Sequence, residues 1–532
     1  MTPSGRMTRI RTSASEQNTM SQEIELKLAL PKRALAALRR HPLVAGAEKL
    51  GNTVPLDNTY YDTPRLQLKA HKVAVRTRRQ GRDWLQTVKC AAVSSGGLSQ
   101  RPEWEQPYSG SFDFSQVDAP DAAKLLNRHA GALVPVFTTR FRRETRRLSP
   151  RDDTSILLMI DTGEVRVTTP EGIERQAPIC ELELELEHGQ AEDLFALACE
   201  LAQALPLMPA DVSKAERGYR LFLGTPPGAA RAEASDLRPG DNVVDAFRRL
   251  AFGCVRQWQA NAAALLPDAG AAGAADTAHA DFIHQLRVAQ RRLRALLKLF
   301  APALPAEFAG QWNARLRDNA RRFGDARDLD VLHGELLAPV TPEGLADEVS
   351  MARLMQTAAQ ARDTAYQAAE QALDMATQGR LLLELSAGLL RLQGNNLVDA
   401  ADLRTFVRLR LARLRKRARR QFEAASTLEP TQLHMLRIGL KQLRYGIEFF
   451  APLLPAKAAA RYRTSLVDAL GMLGFLQDVD IARARLLGWA AADASLQAAV
   501  AFVLGWHAPR YAGLRHGVLQ TAEPVLWGKT PW

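Results

Sequence analysis

Two carboxylates and an ammonium group alternate along a short apolar stretch near the start of the chain. In the run Glu23-Ile-Glu25-Leu-Lys27, the three charged side chains share one face of a predicted strand, because successive side chains point to opposite faces. Adjacent acids suit a hard divalent cation, and a lysine beside them suits the phosphate oxygens that such a cation carries. The same run is also typical of a solvated edge strand, so its meaning depends on whether the pattern recurs.

The pattern recurs on further stretches of the first 222 residues, each with one ionic and one apolar face. The ionic positions are Arg76, Arg78, Lys89, Arg101, Glu103, Glu105, Glu181, Glu183, Glu185 and Glu187. A sheet with water on its ionic side explains any one of these stretches. The bases, however, cluster on two stretches and the acids on three others, which favours a closed barrel with its ionic faces inward. Such a tunnel suits a metal-bound polyphosphate, because acids hold the cation and Lys/Arg hold the phosphoryl oxygens.

The elements that position these residues are short strands. Alternating runs broken by Gly, Pro and Asp predict eight of them, at 22–30, 56–62, 71–80, 82–91, 98–107, 137–148, 155–167 and 178–187. Helices are predicted near 31–41, 114–128 and 190–205. Eight mostly antiparallel strands can close into a barrel, which leaves no open edge. We therefore predict an α+β fold that begins with an eight-stranded antiparallel β-barrel and flanking helices.

The chain has 532 residues, which is too long for one ordinary core. Residues 1–20 are polar and lack an apolar segment, so they predict a disordered tail rather than a signal peptide. Residues 21–222 form the predicted barrel domain, and the Pro/Gly/Ala-rich stretch 223–240 is a predicted linker. Residues 241–532 are rich in Ala, Leu and Arg with helical periodicity, which predicts a C-terminal all-α domain.

The helical half contains an internal repeat with a constant offset of 150 residues. His284, Arg287 and Phe300-Ala-Pro-Ala-Leu-Pro305 match His434, Arg437 and Phe450-Ala-Pro-Leu-Leu-Pro455 without a gap. Further on, Asp328 and Asp330 match Asp478 and Asp480, and these acids are predicted to anchor arginines or cap helices. A duplicated unit predicts two helical bundles that face each other about a pseudo-twofold axis.

Basic residues follow one face of a predicted helix in each repeat. The stripes are His284, Arg287, Arg291, Arg294 and Lys298 in the first repeat, and His434, Arg437, Lys441 and Arg444 in the second. A third segment, Arg404 to Arg420, holds nine Lys/Arg among 17 residues and no acid. A solvated face explains one stripe, but two stripes brought together form a basic cleft. Interleaved aromatics for base stacking are missing, so a flexible polyanion of repeating phosphates is favoured over specific nucleic-acid binding.

The composition limits the partners and the compartment. The formal net charge of +12 favours a polyanionic partner, such as nucleic acid, an anionic membrane surface or a phosphate polymer. No apolar stretch of 18 residues is present, so the sequence predicts no membrane span. The four cysteines lack metal-ligand spacing, which is typical of reduced thiols in a cytoplasmic protein.

Several of these runs resemble one known family. The Glu-x-Glu-x-Lys run, Tyr60-Tyr61-Asp62-Thr63, the Arg-x-Arg strand, Thr-Val-Lys89, Arg101-Pro-Glu-x-Glu, the Glu181–Glu187 strand and Ser213-Lys214-Ala-Glu-Arg217-Gly-Tyr219 resemble the CYTH superfamily, the triphosphate tunnel metalloenzymes. The match covers about residues 21–222. The second half resembles the CHAD domain, a helical module with paired histidines and many basic residues. The order is similar to that of bacterial CYTH-CHAD inorganic triphosphatases.

The resemblance implies a role for individual residues of the tunnel. The implied metal ligands are Glu23, Glu25, Glu183 and Glu185, with Glu181 as a substitute if the register slips by two. The implied phosphate-binding residues are Lys27, Arg76, Arg78, Lys89, Arg101, Arg143 and Lys214. Lys27 would also serve catalysis, and Glu103, Glu105 and Asp161 would line the tunnel, bind a second metal or orient water. Arg143 fits the family position best, whereas Arg140 and Arg142 would share the opposite strand face.

The sequence therefore favours a metal-dependent inorganic triphosphatase, with Mg²⁺ or Mn²⁺ as the implied cofactor. The CHAD resemblance implies that the helical domain binds long-chain polyphosphate through the two basic stripes. Two alternatives place a different reaction in the same tunnel, namely hydrolysis of thiamine triphosphate and cyclisation of ATP to cyclic AMP. An alternative of another class is a non-catalytic polyphosphate-binding protein that is recruited to polyphosphate granules.

Overall fold

A single antiparallel sheet is built in the N-terminal half of the chain. The computed structural model describes residues 22–90, 94–266, 276–340, 348–392 and 402–532, and the predicted tail at 1–20 lies outside these ranges. The strands are β1 (Gln22–Ala29), β2 (Glu48–Lys49), β3 (Val54–Asp62), β4 (Val73–Gln80), β5 (Asp83–Cys90), β6 (Leu98–Pro107), β7 (Val134–Arg151), β8 (Thr154–Thr168), β9 (Glu174–His188) and β10 (Met208–Pro209). All eight predicted strands are present, and only the two-residue strands β2 and β10 were missed.

The sheet closes on itself as an eight-stranded barrel, as predicted. The strands pair in the order β1-β6-β5-β4-β3-β7-β8-β9, and β9 pairs back onto β1. Every pairing is antiparallel, with Glu25 opposite Glu185 and Lys27 opposite Glu183 at the closing seam. The short strands β2 and β10 extend β7 and β1. Closure removes the open edges that would otherwise invite pairing with other chains.

Helices cover the apolar outer face of the barrel. They are α1 (Leu35–Arg40), α2 (Pro42–Ala45), α3 (Gln67–Ala70), α4 (Pro120–His129), α5 (Ala191–Ala204) and α6 (Lys214–Leu223). Leu26 and Leu184, from neighbouring strands, are fully buried and share a cluster with Phe195 of α5. Burial of each such side chain away from water stabilises the fold by about 1.5–3 kcal/mol. The alternation therefore turns the apolar residues outward under helices and the ionic residues inward.

Two predicted helices differ in their bounds for local reasons. The predicted helix 31–41 is divided, because His41 is extended and precedes Pro42, which begins α2. The predicted helix 114–128 begins only at Pro120, since proline disfavours helical backbone at the residue before it and suits the first helical position.

The C-terminal half is helical, as predicted. Its α-helices are α7 (Val243–Leu265), α8 (Asp276–Phe300), α9 (Ala306–Arg321), α10 (Gly324–Val331), α11 (Glu348–Ala372), α12 (Met375–Leu390), α13 (Leu403–Ala424), α14 (Pro430–Phe449), α15 (Ala456–Ala492) and α16 (Gln497–Trp527). A π-helical segment, Leu332–Leu337, follows α10. Within the described ranges, none of the helices combines the length and the apolar character needed to cross a membrane.

The internal repeat is visible where its two copies meet. Phe300 and Phe450 are equivalent positions of the repeat, and both are fully buried. Their ring centroids lie 5.7 Å apart, as expected for equivalent residues close to a twofold axis. Equivalent acids also have similar partners, because Tyr366 donates a hydrogen bond to Asp330 and Tyr511 donates one to Asp480.

The two halves of the chain pack against each other through α12. This helix contacts α5 and β10 of the barrel domain. Leu383 and Ala387 of α12 are buried in the same cluster as Phe195. Gly379 allows the close approach, since an added Cβ would lie 1.7 Å from the carbonyl oxygen of Leu207. The backbone of β10 and its flanking residues therefore sits directly on the helical domain.

Gly379→Ala is expected to lower the free energy of unfolding by about 1–3 kcal/mol, because the new methyl group must displace rigid backbone. Gly471→Ala is the matched control in α15, where an added Cβ meets nothing within 4 Å. This control should stabilise the protein by up to about 1 kcal/mol, since alanine is the better helix former. Thermal unfolding of both variants measures the difference. Equal shifts in the two melting temperatures would mean that the approach at Gly379 is not tight.

Candidate active site

A cavity of about 1120 Å³ lies inside the barrel and is strongly charged. Nearly all of the predicted tunnel residues line it. They are Glu23, Glu25, Lys27, Arg76, Arg78, Lys89, Arg101, Glu103, Glu105, Arg143, Glu183, Glu185 and Lys214. The alternation of the strands is the cause, because residues two apart on one strand share a face. The predicted ionic faces therefore do meet around one space.

Glu23, Glu25 and Glu185 line the cavity where β1 meets β9 and β6, but they are not a group of described acids whose carboxylate oxygens all lie within 4.8 Å of one another. Glu23 pairs with Lys89 at 2.9 Å and with Arg101 at 3.1 Å. Glu25 pairs with Arg101 at 2.6 Å and with Lys27 at 3.4 Å. The carboxylate of Glu185 makes neither an ion pair nor a hydrogen bond with any other described residue. Burial, followed by the negative charge of Glu23, raises the pKa of Glu185 to about 7. Glu185 is therefore the carboxylate of this cluster that the protein's own cations leave unpaired, and a bound divalent cation would relieve its repulsion from Glu23.

A second acidic cluster is already neutralised by the protein. Carboxylate oxygens of Asp161, Glu181 and Glu183 all lie within 4.8 Å of one another, and all three residues are buried. Lys214 reaches Asp161 at 2.7 Å and Glu183 at 2.9 Å, and it also pairs with Glu181. Burial alone would raise the pKa of Glu183, but Lys214 and Arg143 hold it well below its usual range. Each of these three carboxylates thus has a close cationic partner, whereas Glu185 of the first cluster has none among the described residues.

The opposite wall of the cavity is cationic and incompletely paired. Arg76 and Arg78 lie 3.8 Å from Glu103 and Glu105 respectively, which is long for an ion pair. The Nε of Arg76 is buried and has no hydrogen-bond partner among the described residues. Burial, followed by the charge of Arg76, lowers the pKa of Arg78 to about 10. Phosphoryl oxygens would satisfy these donors.

The structure decides which arginine of β7 faces the cavity. Arg143 points inward and pairs with Asp161 at 2.6 Å, whereas Arg140 and Arg142 are exposed. Asp161 is itself fully buried and does not line the cavity. It lies behind Arg143 and Lys214 and holds both cations. Asp161 therefore meets the cavity through Arg143 and Lys214, both of which line it.

Several cavity residues were not predicted from the sequence. Tyr60, Lys69, Lys72 and Tyr219 also line the space. Asp62 organises this end of the cavity, because it accepts hydrogen bonds from the backbone N–H of Leu68 and Lys69 and from the hydroxyl of Tyr219. The Tyr60–Thr63 run was the available signal, but nothing local in it specifies a partner 157 residues away.

The two basic stripes of the helical half also meet. Arg291 of the first stripe lies near Arg437 and Lys441 of the second. Burial, followed by the charges of Arg437 and Arg291, lowers the pKa of Lys441 to about 7. Both stripes contain buried side-chain nitrogens that have no hydrogen-bond partner among the described residues, namely in His284, Arg287, Arg291, Arg437 and Arg444. This basic cleft, as we call the surface between the stripes, is therefore suited to an anion.

Three members of the predicted stripes have other surroundings. His434 hydrogen-bonds Gln477. Arg294 donates a hydrogen bond to Asn313, and its positive neighbours are Arg317 and Arg321 rather than the second stripe. Lys298 lies beyond Arg294, at the end of α8. The first stripe thus extends past the cleft.

The comparisons with known proteins agree with the order of the two halves. Residues 21–219 match the model of the CYTH domain, and residues 249–487 match that of the CHAD domain. The predicted order of the two domains is confirmed. An inorganic triphosphatase from Haemophilus influenzae is 30% identical over 211 residues, which are 38% of this chain and 56% of that protein. The chain thus spans little more than half the length of this relative.

Solved structures resemble each half separately. The CHAD domain from the plant Ricinus communis is 25% identical, covers 57% of this chain and 99% of its own, and has a TM-score of 0.48. The putative adenylyl cyclase HpAC1 from Hippeastrum, described as having a dominant triphosphatase activity, is 19% identical. It covers 38% of this chain and 95% of its own, with a TM-score of 0.28.

Proposed function

We propose that this chain, which carries a CYTH domain followed by a CHAD domain, hydrolyses inorganic triphosphate to pyrophosphate and phosphate inside its barrel. One observation carries the proposal: the closed barrel encloses a cavity with carboxylates on one side, among them the unpaired Glu185, and incompletely paired arginines on the other. A triphosphate with its cation presents the complementary charges. The similarity to an inorganic triphosphatase supports the same substrate.

The first acidic cluster is the proposed site for Mg²⁺ or Mn²⁺, because it faces the cavity and includes the unpaired Glu185. Glu23, Glu25 and Glu185 supply the carboxylate oxygens that these ions prefer, and Glu185 has no competing partner within the part of the chain that the structure describes. When bound, the ion would neutralise charge on the phosphoryl oxygens. Glu183 lies at the edge of this cluster, where Lys27 bridges it to Glu25 at 3.5 and 3.4 Å.

The protein residues position the substrate and neutralise its charge, which is most of what phosphoryl transfer through a loose transition state requires. Arg76 and Arg78 would bind the pyrophosphate portion as it leaves, while Arg101 and Lys89 adjoin the acidic cluster. Glu103 lies between Arg76 and Lys89, at 3.8 Å from the first and 2.6 Å from the second. Glu103 and Glu105 would orient the attacking water. Arg143 and Lys214, held by Asp161, complete the phosphate-binding wall.

A comparison of substrates tests the proposal. Tripolyphosphate, thiamine triphosphate, ATP and long-chain polyphosphate are each incubated with Mg²⁺ and with Mn²⁺, and phosphate release is measured. We expect a clear preference for tripolyphosphate. Faster hydrolysis of thiamine triphosphate, or cyclic AMP from ATP, would assign the tunnel to the alternative substrate. No turnover together with tight, salt-sensitive polyphosphate binding would identify a non-catalytic binding protein.

We further propose that the basic cleft binds polyphosphate, and Lys441 makes this binding depend on pH. Because the pKa of Lys441 is about 7, the side chain is charged at pH 6 and mostly neutral at pH 8. Polyphosphate should therefore bind about tenfold more weakly at pH 8 than at pH 6 through this residue. His284 does not titrate in this window, because burial and the charge of Arg327 lower its pKa to about 4.

Lys441→Arg is the matched variant, since arginine stays charged throughout this range. Its polyphosphate affinity, measured by isothermal titration calorimetry at both pH values, should lose most of the difference. An unchanged pH dependence in this variant would show that Lys441 is not in contact with the ligand.

A further inference from the structure

Helix α13 divides its basic residues between two environments. Arg410 donates hydrogen bonds to the carbonyl oxygens of Leu299 and Lys298, at 2.6 and 3.0 Å. Arg419 donates one to the carbonyl oxygen of Leu526 at 2.7 Å, and Arg415 donates one to that of Gly528. These three arginines satisfy carbonyl groups at the ends of α8 and α16, which otherwise lack partners within their helices. Packing and capping therefore explain them.

The remaining six basic residues have no such explanation. They form the outer face of α13, which we define as Arg404, Arg408, Arg413, Lys416, Arg417 and Arg420. All six are exposed, and none forms an ion pair with a carboxylate in the portion of the chain that the structure describes. Several are four residues apart, where like charges destabilise a helix. Over about 24 Å of helix the six residues form two like-charge groups, Arg404 with Arg408 and, further along, Arg413, Lys416, Arg417 and Arg420.

This outer face continues the first basic stripe. The hydrogen bond from Arg410 to the carbonyl oxygen of Lys298 holds α13 against the end of α8. Lys298 lies between Arg294 of the stripe and Arg417 of the outer face. After burial, the charges of these two arginines lower its pKa. Basic residues therefore follow one another from the cleft, through Arg294 and Lys298, onto α13.

The chemistry of the outer face favours a chain of phosphates over a membrane or nucleic acid. Membrane-surface helices insert an apolar face, but the apolar face of α13 is occupied in the core, as Phe406, Val407 and Leu411 are buried. Single-stranded nucleic acid is held by aromatic side chains that stack on bases, and the exposed positions between Arg404 and Arg420 include none. A linear polyanion, by contrast, can bind to a row of cationic side chains without apolar or aromatic contacts.

We propose that the outer face of α13 is a second polyphosphate-binding segment, which takes up long chains where they leave the basic cleft. This inference rests on the proposed binding of polyphosphate in the cleft. Short chains would occupy the cleft alone, whereas long chains would also contact α13. The face would thereby make affinity depend on chain length.

The test compares the full-length wild type with the triple variant Arg408→Gln, Arg413→Gln and Arg417→Gln. Binding of short-chain and long-chain polyphosphate is measured over a series of salt concentrations. We expect the triple variant to bind the long chains about tenfold more weakly, with a salt dependence reduced by about two charges. Its affinity for short chains should stay within about twofold of the wild type, since the cleft is unchanged.

A control variant removes the same charge elsewhere. Arg40→Gln, Arg82→Gln and Arg128→Gln replace three exposed arginines of the barrel domain and should change neither affinity. Equal long-chain affinity in the triple variant and the wild type would overturn the inference while leaving the cleft proposal standing. No polyphosphate binding by the wild type would overturn both. If the triple variant instead lost binding only to single-stranded DNA or to anionic lipid vesicles, the outer face would have a different ligand and the inference would be wrong.

Discussion

Glu25→Gln is expected to abolish tripolyphosphate hydrolysis, by at least about a thousandfold or about 4 kcal/mol in activation free energy, while the fold stays intact. Glu25 is 2% exposed and belongs to the acidic cluster with Glu23 and Glu185. The amide removes one negative charge from the proposed cation site without changing the size of the side chain. It can still accept the hydrogen bond from Arg101, so folding should tolerate the change.

Glu164→Gln is the control for this substitution. Glu164 lies on β8 with its side chain outside the cavity, where it pairs with Arg166. Its replacement should leave the hydrolysis rate within about twofold, because surface ion pairs contribute little. Rates at saturating Mg²⁺ and thermal unfolding are measured for both variants. Ordinary metal-dependent turnover by the Glu25 variant would refute the assignment of the acidic cluster.

Lys214→Met should destabilise the protein by about 3–5 kcal/mol at pH 8 and also remove activity. Lys214 is buried and neutralises Asp161, Glu181 and Glu183 together. Without it, buried carboxylates keep an uncompensated negative charge. In the wild type the lowered pKa of Glu183 gives stability that is present above its unfolded pKa and is lost as the pH falls. The deficit of the variant should therefore be largest at pH 8 and shrink as the pH approaches 4.

Urea denaturation at pH 8 and pH 4.5 measures this dependence. Lys49→Met, at an exposed position of β2, should stay within about 0.5 kcal/mol of the wild type at both pH values. In the Lys214→Met background, Asp161→Asn should restore part of the lost stability, because it removes one of the uncompensated charges. A deficit that does not change with pH would argue for lost packing instead of lost charge compensation.

The strands and the inward-facing residues could be predicted because alternation is a local property. Glu23, Glu25 and Lys27 must share a face once the run is a strand, and barrel closure decides that the face is the inner one. The internal repeat could be predicted as well, because equivalent residues such as Phe300 and Phe450 follow from the sequence offset alone. Both the strand faces and the repeat can be recognised from residue positions in the sequence, without knowing which residues meet in the fold.

Contacts between residues of different strands could not be predicted from residue spacing along the chain. The family resemblance implied that Asp161 lines the tunnel, but its burial behind Arg143 and Lys214 depends on how β7, β8 and α6 pack together. The unpaired carboxylate of Glu185 and the close pairing of Asp161, Glu181 and Glu183 have the same origin. Likewise, Gly379 has no local signal for its contact with Leu207, because the two residues meet only when the domains dock.

In the proposed function, triphosphate binds in the barrel and is cut once per turnover. The most direct test follows tripolyphosphate by ³¹P NMR in the presence of the full-length protein and Mg²⁺ or Mn²⁺. We predict equal amounts of phosphate and pyrophosphate from the start of the reaction, and no products once the metal is chelated. An absence of hydrolysis with either metal, or products that accumulate equally fast with the Glu25→Gln variant, would contradict the claim.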